Sequence, residues 1–169
     1  MVCKFFLYIS QMKDKLKKLQ LIKIEETLKD FKSLLIRYRE IKDDQVLLKL
    51  FFTRNRNPIW DITNINFFKT GLMSEQAKSA PKKDLVDDHF IQRTKAMKFI
   101  FSELDKDENM NLETFIGLLK KYCSTVKITK TEHIKITQTA KKNPEYLNYE
   151  SYLLCGINVV GLSSILLKN

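Results

Sequence analysis

Apolar residues recur at helical spacing along most of the chain. In residues 13–40, Leu16, Leu19, Ile24, Leu28, Phe31 and Leu35 fall on or near one stripe, which predicts a long N-terminal amphipathic helix. Leu47, Leu48 and Phe51 predict a second helix, and Met97, Ile100, Phe101 and Leu104 a third. Phe115, Leu118, Leu119 and Tyr122 predict a fourth. Only four glycines and three prolines interrupt 169 residues, so the expected class is all-α. Residues 74–83 hold Ser, Ala, Pro81 and lysines and read as a linker. Asp84, Asp87 and Asp88 are then expected to open the next helix, near its positive end. Residues 157–167 carry no charge and are expected to form a buried or partner-covered helix. They fall short of the roughly 20 residues that a membrane-spanning helix needs. The N-terminal run Phe5, Phe6, Leu7, Tyr8 and Ile9 is too short for a signal peptide, and no small-residue cleavage site follows it.

Between the third and fourth helices lies the run 105–116, DKDENMNLETFI. Its oxygen-bearing residues have the spacing of a calcium loop, which takes ligands from positions 1, 3, 5, 7, 9 and 12 with glycine at 6. Asp105, Asp107 and Asn109 fill positions 1, 3 and 5; Asn111 falls at 7, where a backbone carbonyl serves, and Glu113 at 9. Met110 replaces the glycine, and Ile116 replaces the bidentate carboxylate at position 12. That carboxylate normally supplies two of the roughly 6–8 oxygens around the ion. No cofactor is expected, and calcium binding at the Asp105 loop is expected to be weak or lost. Leu112, at position 8, is expected in a short strand that pairs with a sister loop.

The apolar flanks and the Asp105 loop together resemble the EF-hand superfamily. A sister loop is read at 142–153, where Asn148, Tyr149, Glu150 and Tyr152 repeat Asn111, Leu112, Glu113 and Phe115. Lys142, Pro144 and Tyr146 stand there where ligands belong, so this loop is expected to bind no calcium. Leu47, Leu48 and Phe51, followed by Ile65, Phe67, Phe68 and Leu72, suggest a degenerate upstream unit. Its expanded loop, 53–64, contains Pro58 and Trp60. The expected organisation is an N-terminal helical segment at 1–42, a degenerate hand at 43–73, a linker at 74–83 and paired degenerate hands at 84–169. Within 15–122, the segment Leu16 to Gln20 with Thr27 and Leu28 after it, Val46 to Phe52 and Phe101 to Leu119 resemble the calaxin-type EF-hand proteins associated with axonemal dynein. That resemblance implies EF-hand-like paired helix–loop–helix lobes that dock on partner helices.

Net charge is +10, and only five of the 30 basic residues are arginine. A lysine-dominated surface suits diffuse attraction to an acidic partner better than bidentate reading of phosphates or bases. No nucleic-acid module is recognisable, and no nucleic-acid partner is expected. Cys3, Cys123 and Cys155 are scattered, which suggests neither a disulfide framework nor a zinc site. His89 and His133 have no metal-ligand spacing around them. Phosphate-binding glycine loops and GxSxG are absent, and Asp43-Asp44 and Asp87-Asp88 are adjacent rather than facing pairs. An enzyme is not expected.

The expected function is a non-enzymatic adaptor that grips protein helices or coiled coils in a cytoskeletal assembly. Cytoplasm, cytoskeleton and ciliary axoneme are the expected setting, with tubulin and dynein-docking proteins as candidate partners. Phe51, Phe52, Trp60, Phe67, Phe68, Phe101, Phe115, Tyr149 and Tyr152 are the candidate core and groove aromatics, with most of them expected in the core and Phe51, Phe101, Phe115, Tyr149 and Tyr152 as the partner-groove candidates. A weak calcium sensor is one alternative. An accessory subunit of an organellar complex, such as a mitochondrial one, is another, and no transmembrane span is expected in either case.

Overall fold

The computed structural model describes the backbone of residues 2–55, 68–143 and 148–161, and the side chains of 18–55, 68–143 and 150–161. The chain is mostly helical with one small sheet. In chain order it forms α1 (Val2–Ile41), α2 (Gln45–Arg54), β1 (Lys69–Met73), α3 (Glu75–Ser79), a 3-10 turn (Lys82–Asp84) and β2 (Leu85–His89). There follow α4 (Arg93–Lys106), α5 (Leu112–Cys123), β3 (Thr125–Thr129), α6 (Lys130–Lys142) and α7 (Asn148–Leu154). Two compact units result: Met1–Phe67 with Phe101–Gly117, and Phe68–Ile100 with Leu118–Asn169. Their boundaries differ from the sequence-based division because α4 and α5 each contribute to both units.

In the first unit, α1 contains the predicted amphipathic helix and extends beyond it. It buries Ile24, Leu28, Phe31, Leu35 and Tyr38, which alternate at spacings of four and three. The neighbouring α2 starts where the Asp44 carboxylate accepts from the Val46 and Leu47 amides, satisfying two N-terminal donors. Its inner side buries Leu48, Phe51 and Phe52. Phe101 is the hub of this core. Its ring stacks on Phe31 at 4.8 Å and Tyr38 at 5.1 Å, and meets Phe51 edge-on at 5.2 Å. Phe115 packs edge-on against Phe31 at 5.8 Å.

The second unit contains the sheet, which the all-α expectation did not include. Its strand order is β1-β3-β2. β3 pairs in parallel with β1 and antiparallel with β2, where Asp87 lies opposite Lys127 and Asp88 opposite Val126. Asp84, Asp87 and Asp88 therefore do not begin a helix. Asp84 closes the 3-10 turn, and the other two alternate on the faces of a strand, Asp87 outward and Asp88 buried. Asp87 is held across the sheet by Lys69 of β1 at 2.7 Å and Lys127 of β3 at 2.9 Å. This cross-strand pairing accommodates a carboxylate that β propensity alone disfavours.

Of the degenerate upstream unit, Phe68 lies in a helical turn, as a helix start would, but Leu72 lies in β1 and not in a helix that follows it. Gly71 takes φ +77° inside β1, where the pairing register shifts, a conformation that a side chain would strain. The supposed linker 74–83 contains α3, capped by Ser74, whose hydroxyl accepts from the Ala77 amide. Residues 157–161 are not helical: α7 ends in a Schellman turn at Gly156, and Val159 bridges to Ser74. In that turn Ile157 N donates to Tyr152 O and Gly156 N to Leu153 O. Ile65, Phe67, Pro58, Trp60, Pro144, Tyr146 and residues 162–167 lie outside the described residues.

Candidate functional site

The structure turns the run 105–116 into a tight connection between two helices. α4 continues to Lys106, and α5 already begins at Leu112. Leu112 is therefore helical rather than part of a pairing strand. Asn111 caps α5: its side-chain oxygen accepts from the Thr114 amide at 2.9 Å, and its carbonyl accepts from the Phe115 amide at 3.1 Å. The carbonyl that a calcium loop would offer at position 7 is thus the first acceptor of a helix. Met110 has no positive φ and is buried, so the turn forms without glycine and inserts a side chain into the core. Asp107 accepts from the Met110 amide through its carbonyl, and Asp107, Asn109 and Glu113 are exposed.

Asp105 is engaged by cations from the end of α1 and the residue just beyond it. Arg39 donates to its Oδ1 at 2.6 Å, and Lys42 to its Oδ2 at 2.8 Å. A second arm of the Arg39 guanidinium reaches Glu108 at 2.9 Å. The hydrogen bonds from Lys42 and Arg39 hold the Asp105 carboxyl below the usual carboxylate range. Both oxygens of the position-1 residue are therefore already satisfied by protein charge.

The second predicted loop, 142–153, also has another form. α6 ends at Lys142 and α7 begins at Asn148, so Tyr149, expected in the short strand opposite Leu112, has helical backbone. The side chain of Tyr149 lies outside the described residues. Phe51, Phe101, Phe115 and Tyr152 are all buried, with the last three at 0% exposure. They are interior residues of their own units and not groove aromatics, because apolar rings at helical spacing satisfy a core before they can face a partner.

A polar cluster in the second unit was not legible as such in the sequence. Buried Asp88, on β2, is approached by two side chains from the helices. His133 Nδ1 of α6 and Asp88 Oδ1 are hydrogen-bonded at 2.8 Å. The Tyr152 hydroxyl of α7 donates to Asp88 Oδ2. The hydrogen bond to Asp88 raises the His133 pKa, while burial and Asp88 raise that of Tyr152. Beside them, buried Glu132 accepts from Ser74 Oγ at 2.7 Å, Thr129 N at 2.8 Å and Thr129 Oγ1 at 2.9 Å. The bond from Thr129 N, together with Glu132 N donating to Thr129 Oγ1 at 3.1 Å, makes a capping box at the start of α6. The Thr129-x-x-Glu132 spacing is the one sequence signal that marks this region.

His89 follows Asp88 but has a different environment. Burial and the neighbouring Arg93 push its pKa down to about 4, and its Nε2 accepts from Arg93 Nε at 3.0 Å. Burial raises the Cys123 thiol to about 12, which leaves it protonated and unreactive at neutral pH. His133 keeps a side-chain exposure of 47% beside a carboxylate, so this cluster can exchange protons with solvent. Among the described residues, no group of three His, Cys, Asp or Glu side chains is arranged to hold a metal ion.

No protein-family model matches the chain, and neither a curated protein nor a solved structure matches it.

Proposed function

We propose that this chain is a non-enzymatic, EF-hand-like adaptor that docks onto partner helices or coiled coils in a cytoskeletal assembly, with the dynein-docking machinery of the ciliary axoneme as its setting. The observation that carries this reading is the outer side of α2. Val46 is 69% exposed, Leu50 48% and Leu47 41%, on a helix whose other side already buries Leu48, Phe51 and Phe52. A helix that is apolar on both sides suits burial against a second body. The Asp105 pairing with Arg39 and Lys42 supports the same reading, because it assigns the loop's first carboxylate to holding protein together.

The test is co-sedimentation of the full chain with tubulin microtubules and with purified axonemal doublets. Binding that disappears in the Val46→Lys/Leu50→Lys double variant is expected. No binding to either, or binding that this variant leaves intact, would overturn the reading. Calorimetry with calcium checks the competing sensor function: no binding heat is expected, and heat that vanishes in Asp105→Ala would favour the sensor.

A further inference from the structure

We infer that the exposed side of α6 is a docking surface for an acidic polypeptide segment that carries an apolar residue among its carboxylates. The surface belongs to the second unit and stands apart from the α2 side on which the cytoskeletal reading rests.

The excess of lysine is unevenly divided between the units. The first holds 15 basic and 13 acidic residues, a net +2, and the second 15 and 7, a net +8. Three of those seven acids are already engaged within the unit. Asp88 and Glu132 are buried in hydrogen bonds, and Asp87 is held by Lys69 and Lys127. Between Glu113 and Glu145 the chain has seven lysines and one acid, the buried Glu132. Four of the seven, Lys130, Lys135, Lys141 and Lys142, are exposed on α6. Among the described residues, none of these four meets a carboxylate.

Their arrangement follows from helix geometry. α6 turns Glu132, Ile136 and Ala140 inward. At about 100° per residue, the opposite side has Ile134 and Gln138 along its midline. Lys130 and Lys141 lie about 40–60° to one side of that midline, and Lys142 and Lys135 about 60–80° to the other. Ile134 is 56% exposed, so an apolar side chain stands between two rows of ammonium groups. The longer row extends for about 16 Å, the length of about 11 helical residues.

The chemistry of this side selects its occupant. Rows of like charge oppose pairing with a second copy of the same face. α6 has no Phe, Tyr, Trp or Arg, and so lacks both the rings that stack bases and the forks that read their edges. Its inner side is buried in its own unit, and Ile134 alone is too little apolar surface for insertion among lipids. A phosphate chain would leave Ile134 with nothing apolar to cover it. A polypeptide supplies carboxylates for both rows and a side chain for the isoleucine, which is the pattern of an apolar centre with a polar rim.

The test is fluorescence anisotropy of the full chain with a labelled peptide of about ten glutamates around one central leucine, a length matched to the lysine rows. Binding that weakens as salt is raised is expected. Lys130→Glu/Lys135→Glu should reduce affinity about tenfold, whereas Lys82→Glu/Lys83→Glu, an equal change of net charge elsewhere in the unit, should reduce it less than about twofold. Ile134→Ser should weaken binding about fivefold, and should have no effect on a peptide with serine in place of the leucine. Circular dichroism and the unfolding midpoint should stay unchanged. Should Lys130→Glu/Lys135→Glu impair folding, Lys141→Gln/Lys142→Gln decides the matter, with a loss of about fivefold expected. No binding of the peptide, equal losses from the two reversed lysine pairs, or a leucine contribution that ignores Ile134 overturns the inference. It is equally overturned if a thymidine oligonucleotide or phosphatidylserine vesicles bind more tightly than the peptide and displace it.

Discussion

The two units differ in whether they enclose charge. In the first, carboxylates and cations meet near the surface: Arg39 and Lys42 hold Asp105 outside a core of aromatic rings gathered on Phe101. In the second, Asp87 also pairs outside with Lys69 and Lys127, but two further carboxylates lie inside, Asp88 under His133 and Tyr152, and Glu132 under Ser74 and Thr129. Surface pairs form in high dielectric and are screened by salt, so the first unit draws its stability from apolar packing. Buried acids leave no such latitude, because each partner removed strands a charge or a donor. The first unit should therefore be sensitive to volume, and the second to hydrogen bonds and protons.

The largest expected effect is in the first core. Phe101→Ala removes the ring that Phe31, Tyr38 and Phe51 contact and should cost about 4 kcal/mol, read from urea unfolding. A cost under about 1 kcal/mol would mean that this unit is not organised around its aromatic hub. Next is Asp88→Ala, which leaves the buried Tyr152 hydroxyl without its acceptor and should destabilise the second unit by about 3 kcal/mol. Hydrogen exchange at the β3 amides would locate the loss in the sheet. Tyr152→Phe, which removes the hydroxyl but keeps the ring, should cost less.

The two histidines should impose opposed pH dependences. His89 has a folded pKa lowered from 6.5 to about 4, so its folded state favours the neutral ring. Stability from this source is present above 6.5 and falls as pH drops through that window. His133 has a raised folded pKa, so its contribution is complete below 6.5 and fades as pH rises through the folded value. His89→Asn should flatten the fall of the unfolding midpoint between pH 6.5 and about 4, whereas His133→Gln should remove a loss of midpoint that the parent chain shows as pH rises above 6.5. Identical profiles in all three would remove proton linkage from the comparison. The smallest effect belongs to Arg39→Ala: a slight loss of stability at low salt that disappears at high salt. A loss that persists at high salt would show that this surface latch is more than a screened ion pair.

The units also differ in how far their parts could be read from the chain. α1, α2, α4 and α5 each repeat apolar residues at helical spacing, and this local period is enough to place them. The Asp105 run was legible as a polar turn between helices. Its resemblance to a calcium loop did not extend to geometry, because Asn111 was used to cap α5 and Met110 to fill the core. The aromatics were recognisable as core or groove positions, and the structure buries Phe51, Phe101, Phe115 and Tyr152. The sheet was the least legible part. β1 and β2 are short, carry Lys69, Asp87 and Asp88, and depend on a central strand distant in sequence.

Sequence by itself determined the helical periods and the excess of lysine, since these follow from residue order and the fixed geometry of a helix. Tertiary structure alone decided that Asp105 pairs with Arg39 and Lys42, that Asp88 lies beneath His133 and Tyr152, and that β3 joins two separate strands. Those features join residues far apart in the chain. Their partners are selected by burial and by the need to satisfy every enclosed polar group, and neither leaves a local period to read.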